Sequence, residues 1–148
     1  MKHGYFGVGV ERCKNAFNWG SLFRTANIFG ASFIFTIGQR FREQASDTMR
    51  TERHLPLFTY KNIKEFNDNR PYNCKLIGVE RYGSAHSLVN FIHPERCMYI
   101  LGPEDGSLSR ETISLCQDLV RIPGEVSLNL SVAGSIVLYD RIAKNGGL

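Results

Sequence analysis

Two short apolar segments flank one amphipathic segment near the start of the chain, and this arrangement restricts the fold most. Tyr5–Val10 and Phe33–Ile37 are predicted to be buried strands because they are short, apolar runs. Between them, Asn18–Phe29 places apolar side chains at helical spacing, with Asn18 as a predicted N-cap and Gly30 at the C-terminal end. A strand, a helix and a strand in this order form a βαβ unit, whose strands are parallel. The sequence therefore predicts an α/β fold, with a parallel sheet flanked by helices.

The alternation of strands and helices continues along the chain. Further strands are predicted at Leu57–Tyr60, Lys75–Val79 and Cys97–Leu101, and one or two helical turns at Ile63–Asn69. The apolar residues of Leu128–Ala143 recur at helical spacing, which predicts a closing amphipathic helix.

The size and composition of the chain favour one globular unit. A chain of 148 residues, 43% of them hydrophobic, can bury a sizeable core without disulfides or metals. We therefore expect a single domain over residues 1–148. The four cysteines form no C-x-x-C pair and no histidine has zinc-finger spacing, so we expect reduced thiols and no metal. No segment resembles a signal peptide or a membrane span, which predicts a soluble cytoplasmic protein.

The charge of the chain is compatible with a polyanionic partner. Eighteen lysines and arginines against fourteen aspartates and glutamates give a formal net charge of +4, which favours RNA without requiring it. Residues 38–56 are rich in charged side chains and lack sustained periodicity, which predicts a surface segment with at most one helical piece. The arginines of this segment are our candidate RNA-binding residues, namely Arg40, Arg42, Arg50 and Arg53.

Two further segments contain side chains suited to chemistry, although each also has an ordinary structural explanation. In the predicted first helix, Arg24 lies almost two turns after Asn18, and an isolated helical arginine is typically a solvated charge. Glu104 lies in a glycine turn that follows an apolar strand and precedes a predicted helix. Ligands of parallel α/β sheets gather beyond the carboxyl ends of strands, and Gly102 and Gly106 would permit close approach of a ligand to the backbone there. The same turn can also be purely structural.

A third segment, Ile122–Ala133, runs from a strand end through a proline-containing loop into the closing helix. Either Ser127 or Asn129 can cap that helix, and capping alone would explain their presence. The chain has no G-x-G-x-x-G after a strand, no Walker A loop, no H-E-x-x-H and no G-x-S-x-G. Nicotinamide chemistry, nucleotide hydrolysis and zinc proteolysis therefore lose support.

Taken together, the three segments resemble the sequence motifs of the SpoU/TrmH family of the SPOUT superfamily. The first is N-x-x-N-x-G-x-x-x-R-T-A, the second is L-G-P-E-D-G-S-L-S with Ser107 as one extra residue, and the third is I-P-x-x-x-S-L-N-x-S-x-A. They occur in the family order and span nearly the whole chain. Two features depart from the family: the Pro123–Ser127 loop is shorter than in many relatives, and we expect no separate RNA-binding domain before the first strand.

The resemblance implies a sheet whose C-terminal segment threads through a loop as a deep trefoil knot, a rare exception to unknotted chains. It also implies a homodimer in which the closing helix and the first-motif helix form the interface. The implied activity is that of an RNA (ribose-2'-O-)methyltransferase using S-adenosylmethionine, with tRNA favoured over rRNA. The alternatives are an rRNA ribose methyltransferase, a base methyltransferase, and a catalytically idle module that binds RNA or cofactor.

The resemblance also assigns roles to individual residues. Arg24 is the implied catalytic residue, and because arginine normally keeps its proton we expect it to grip a phosphate or stabilise the developing alkoxide. Asn18 would orient Arg24 or the ribose, and Glu104 would hold the second-motif loop or the Asn18 of a second subunit. Ser127 and Asn129 would shape the pocket. The residues expected around the cofactor are Val79, Gly102, Ile122 and Leu128.

Overall fold

The computed structural model describes residues 4–38, 50–81, 83–125 and 128–146, and the strands of these ranges form one parallel sheet. Every pair of neighbouring strands is parallel. All strands therefore end at the same edge of the sheet, which we call the carboxyl edge, and begin at the opposite amino edge. The strand order is β3-β2-β1-β6-β4-β7-β5. The strands are β1 (Tyr5–Glu11), β2 (Phe33–Ile37), β3 (Leu57–Tyr60), β4 (Lys75–Val79), β5 (His86–Ser87), β6 (Arg96–Leu101) and β7 (Asp118–Arg121).

Helices cover both faces of the sheet, as the predicted α/β class requires. α1 (Ala16–Ile28) and α4 (Leu130–Lys144) pack on one face, and α2 (Ile63–Asn69) and α3 (Arg110–Leu115) on the other. Short 3₁₀ turns occur at Thr51–Arg53 and Leu88–Asn90. No helix in the described ranges has the length and apolar character to cross a membrane.

Most predicted elements occur where the patterns place them, but the start of α1 is a correction. Asn15, not Asn18, caps the helix: its side-chain oxygen accepts a hydrogen bond from the backbone N–H of Phe17 at 2.9 Å. Asn18 lies in the first turn and is only 8% exposed. Of the two residues considered for the cap of α4, Asn129 forms the cap, whereas Ser127 lies outside the described residues.

The two helices on the first face pack closely against each other. A Cβ atom on Gly134 of α4 would lie 2.3 Å from Cδ1 of Leu22 on α1, so any larger residue would require the buried Leu22 side chain to move. The hydroxyl of Ser135 donates a hydrogen bond to that of Thr25 at 3.3 Å. This packing fixes the N-terminal ends of both helices at the carboxyl edge.

A buried arginine anchors the other end of α4. The guanidinium of Arg141 is fully buried and donates hydrogen bonds to the carbonyl oxygens of Pro94 and Glu95, at 2.7 and 2.9 Å. It also donates to the hydroxyl of Tyr99 at 3.1 Å. Because burying a charge is costly unless it forms hydrogen bonds, these contacts favour one orientation of α4.

Candidate active site

A cleft of about 300 Å³ opens at the carboxyl edge, where β4, β6 and β7 end. Its walls are the loops that follow these three strands, together with the start of α4. The four residues predicted to surround a cofactor all line it, namely Val79, Gly102, Ile122 and Leu128. The structure thus brings together residues that lie up to 49 positions apart in the sequence. Their binding role remains a prediction.

Gly102 has a structural reason to be glycine that differs from the one expected. A Cβ atom there would lie 2.8 Å from the backbone nitrogen of Leu108 and 3.0 Å from the carbonyl carbon of Ser107. A side chain would therefore push the two ends of the second-motif loop apart. At Gly106 a Cβ would meet only Pro103, at an ordinary 3.7 Å. The glycine at position 102 lets the loop close on itself, whether or not a ligand also approaches it.

Glu104 connects the second-motif loop to the segment that precedes α1. Its Oε1 accepts hydrogen bonds from the Cys13 thiol at 2.7 Å, the Asn15 backbone N–H at 3.0 Å and the Asn18 side-chain amide at 3.1 Å. Its Oε2 accepts the backbone N–H of Lys14 at 3.1 Å. Partial burial raises the pKa of Glu104, but these hydrogen bonds outweigh it and lower the pKa to about 2. The group is therefore a carboxylate at neutral pH.

The pKa of the Cys13 thiol is shifted upward, opposite to that of Glu104. Burial and the hydrogen bond to Glu104 raise the pKa of Cys13 to about 12. The thiol therefore keeps its proton and acts as a hydrogen-bond donor, not as a nucleophile.

Asn18 extends the Glu104 contacts to the third motif. Its side-chain oxygen accepts a hydrogen bond from the side-chain amide of Asn129 at 2.8 Å. The Asn129 oxygen in turn accepts the backbone N–H groups of Ser131 and Val132, at 2.9 and 3.3 Å, and so caps α4. Glu104, Asn18 and Asn129, one from each motif, thus form a continuous set of hydrogen bonds, which we call the motif bridge.

The motif bridge gives the contacts of Glu104 and Asn18 within one chain, and the expected contact of Glu104 with the Asn18 of a second subunit stays a prediction. Glu104 contacts the Asn18 of its own chain. The hydrogen bonds described for Asn18 are with Glu104 and Asn129, and not with Arg24. Arg24 lies exposed on α1 and forms no hydrogen bond or ion pair with the residues that the structure describes. Its guanidinium is therefore available to a ligand.

The remaining predicted residues are placed only in part. Arg50 and Arg53 are exposed and belong to the turn that packs near α1 and leads into the amino end of β3. Arg40, Arg42 and Ser127 lie outside the described residues. Within the described ranges, no three His, Cys, Asp or Glu side chains are grouped to hold a metal ion.

Two carboxylates that sequence reasoning missed also support the second-motif loop. Glu11, only 3% exposed at the end of β1, accepts hydrogen bonds from the backbone N–H and the hydroxyl of Ser109, at 2.8 and 2.9 Å. Glu80, just after β4, accepts the backbone N–H of Leu108 at 3.1 Å. Both follow the signal that selected Glu104, a carboxylate at the carboxyl end of an apolar strand. Arg81 adds a hydrogen bond across the mouth of the cleft, to the carbonyl oxygen of Glu125.

Comparisons with known proteins agree with this architecture. Residues 6–139 match the SpoU rRNA Methylase family. The 23S rRNA (guanosine-2'-O-)-methyltransferase RlmB of Bordetella pertussis is 28% identical over 145 residues, which cover 88% of this chain and 56% of that protein. The chain spans between 8% and 63% of the length of its first curated relatives.

Solved structures share the fold at lower identity. The SpoU methyltransferase AviRb of Streptomyces viridochromogenes, in complex with AdoMet, superposes with a TM-score of 0.84 at 23% identity, over 97% of this chain and 62% of that one. A structure described as giving insights into the 2-OH methylation of C/U34 on tRNA superposes with a TM-score of 0.80 at 20% identity, over 96% and 97% of the two chains. Because the family match covers nearly the whole chain, the protein belongs to the SpoU rRNA Methylase family.

Proposed function

We propose that this chain transfers the methyl group of S-adenosylmethionine to a ribose 2'-hydroxyl of RNA. The observation that carries this proposal is the motif bridge, because it joins three distant segments around one cleft at the carboxyl edge. Ligands of parallel α/β sheets bind at this edge. Membership of the SpoU rRNA Methylase family supports the same activity.

The cleft fits the proposed cofactor in size and in lining. Its volume of about 300 Å³ lies at the lower end of the range for small-molecule sites. Apolar side chains suited to an adenine ring line it, namely Val79, Leu101, Ile122, Leu128 and Leu130. Three glutamates line the cleft against two arginines, Arg81 and Arg121, and this excess of negative charge suits a cationic sulfonium. When bound, S-adenosylmethionine would supply the methyl group to the 2'-oxygen and would leave as S-adenosylhomocysteine, and the hydroxyl proton would pass to solvent.

Two contributions of the chain would accelerate transfer. The cleft and motif bridge would hold the two reactants in line, which converts a bimolecular reaction into an effectively unimolecular one. Arg24 would bind a phosphate next to the target ribose or stabilise the negative charge that develops on the 2'-oxygen. An arginine normally remains protonated, so we assign it this electrostatic role and not that of a general base.

We further propose that residues 1–148 form one domain and that its C-terminal segment forms the deep trefoil knot of the family. The single sheet formed by the described strands supports one domain. The knot is supported by family membership and by the meeting of the loops after β4, β6 and β7 around one cleft. We expect the protein to act in the cytoplasm.

The proposed substrate is tRNA, with rRNA as the second candidate. A structural relative that matches almost end to end is described by its action on tRNA, which favours tRNA. The curated relative RlmB is named for 23S rRNA, which keeps rRNA open.

Methyl transfer can be tested by incubating the protein with S-adenosylmethionine carrying a labelled methyl group and with total small RNA or rRNA. Nucleoside analysis of the product should find the label in a 2'-O-methylnucleoside, and mainly in the tRNA fraction. Label in a methylated base would overturn the ribose assignment. Cofactor binding without transfer to either RNA would favour the idle binding module.

We also propose that the protein functions as a homodimer through the outer faces of α1 and α4. Val132, Ile136 and Tyr139 recur at helical spacing on α4 and are 47%, 37% and 52% exposed. Phe17 and Ile28 on α1 are 63% and 58% exposed. Apolar patches of this kind commonly mark protein interfaces.

A double substitution, Val132→Glu with Ile136→Glu, should convert the dimer to a monomer, because it places four charges per dimer in the proposed interface. We expect light scattering to report half the wild-type mass and methyl transfer to fall at least about tenfold, because the family resemblance implies an active site completed by both subunits. Val89→Glu, at a 66% exposed position outside both helices, is the control and should remain dimeric. A double variant that keeps the wild-type mass would contradict the interface.

A further inference from the structure

Basic residues follow consecutive strands at the carboxyl edge, on the side of the cleft towards β3. In the sheet, β6 is followed by β1, β2 and β3. Arg12 comes directly after β1, and Lys61 directly after β3. Lys14 lies two residues after Arg12 and its ammonium contacts Asp105, in the loop after β6, at 2.7 Å.

These strands end level with one another, which brings the residues after them together. The backbone N–H of Arg12 donates to the carbonyl oxygen of Ile37 at 3.0 Å, and that of Gly38 donates to Tyr60 at 2.9 Å. A Cβ on Gly38 would lie 3.2 Å from Cγ of Arg12 and 3.9 Å from the carbonyl oxygen of Lys61. Arg12 and Lys61 therefore flank Gly38.

Lys14 connects this side of the cleft to the loop after β6. Its ammonium contacts Asp105 of that loop, and it follows Arg12 by two residues. The contact with Asp105 raises the pKa of Lys14.

Unlike Lys14, which pairs with Asp105, Arg12 and Lys61 have no carboxylate partner among the described residues. The side chains of Arg12 and Lys61 are exposed and form no hydrogen bond or ion pair with described residues. The nearby carboxylates have other partners. Glu11 is buried against Ser109, and Glu65 accepts the backbone N–H of Lys61.

The backbone conformation of Arg12 also supports a functional role for this residue. Its φ angle is 50°, in the left-handed region where glycine and asparagine are favoured. An arginine at such a position is not explained by local conformational preference, and strained positions cluster at functional sites.

We propose that Arg12 and Lys61, which we call the basic row, bind the phosphate backbone of the RNA beside the cleft. This inference rests on the proposed function and adds the direction in which the RNA extends, from β6 towards β3. Neighbouring strands lie about 4.8 Å apart, so the three intervals from β6 to β3 span roughly 15 Å, enough for several nucleotides.

Two arginines at the amino edge have structural partners. Arg70 donates to the carbonyl oxygen of Cys74 and to the side chain of Gln117. Arg96 donates to the carbonyl oxygen of Tyr72, and its guanidinium lies 4.2 Å from the centre of the Tyr5 ring. This edge is at the opposite ends of the strands from the cleft.

The test compares RNA affinity over a range of salt concentrations for wild type, Arg12→Gln, Lys61→Gln and the double variant. Two matched controls are Lys75→Gln at the amino edge and Lys64→Gln, whose ammonium pairs with Asp68 at 2.8 Å. Because each phosphate contact adds about 0.7 to the slope of log K against log salt for a single strand, the double variant should lose about 1.4. Its affinity should fall about 10- to 100-fold, with the controls within about twofold of wild type.

Equal affinity and slope in the double variant and wild type would overturn the basic row, as would an equal loss in Lys75→Gln. A wild-type protein without salt-dependent RNA binding would also overturn it. Calorimetric titration with S-adenosylmethionine should give wild-type affinity for every variant, which separates RNA binding from misfolding. Intact RNA binding by the row without methyl transfer would instead reject the proposed function alone.

Discussion

Arg24→Ala is expected to lower the rate of methyl transfer by about 10²- to 10³-fold, the effect of removing one donor that stabilises a developing negative charge. Arg24 is exposed on α1 and has no partner among the described residues, so its removal breaks no contact that the fold requires. The thermal midpoint and the affinity for S-adenosylmethionine should therefore remain close to those of wild type. Single-turnover measurement with saturating RNA separates the chemical step from RNA binding.

Two further variants define what the Arg24 result means. Arg24→Lys keeps the charge but lacks the planar pair of donors, so we expect it to recover only part of the lost rate. Arg110→Ala removes an exposed arginine from the start of α3, on the opposite face of the sheet, and should transfer methyl groups at the wild-type rate. Full activity in Arg24→Ala would remove Arg24 from the mechanism.

Sequence patterns predicted most of the fold because most of its strands are buried on both faces and therefore appear as continuous apolar runs. β2 has five consecutive buried residues, and its predicted bounds are those of the structure. β5 has two residues, and no apolar pattern can be detected over that length. Local rules also misplaced the cap of α1. Asn15 and Asn18 are equally good caps by residue type, and only contacts with residues 86 and 111 positions away explain why Asn18 is buried.

The residues of the candidate site could be predicted from the sequence, but the hydrogen bonds that connect them could not. The strand-end position that selected Glu104 also applies to Glu11 and Glu80, which the motifs do not mark. The four hydrogen bonds described for Glu104 come from residues near the start of the chain, 86 to 91 positions away. No local pattern encodes such pairings, because they depend on β1 and β6 being neighbours in the sheet.

Glu104→Gln should weaken both the fold and cofactor binding, although the side chain keeps its size. All four groups that Glu104 contacts are donors, so a glutamine would turn its own N–H₂ towards one of them. Because Glu104 is partly exposed to solvent, we discount its lowered pKa and expect a loss of about 1–2 kcal/mol in unfolding free energy at pH 7. The affinity for S-adenosylmethionine should fall roughly tenfold, since the motif bridge holds two walls of the cleft.

The pH dependence of the unfolding free energy tests whether the lost charge of Glu104 causes the loss of stability. The pKa of Glu104 in the folded state is about 2, below its ordinary value of 4.5, so its stabilising effect is complete above pH 4.5 and is lost as pH falls towards 2. The difference in unfolding free energy between wild type and Glu104→Gln should therefore be largest near neutral pH and shrink through this range. Asp105→Asn, which affects the exposed pair with Lys14, is the matched control and should leave stability close to that of wild type at every pH. A Glu104→Gln difference that does not vary between pH 7 and pH 3 would mean that the motif bridge does not depend on the charge of Glu104.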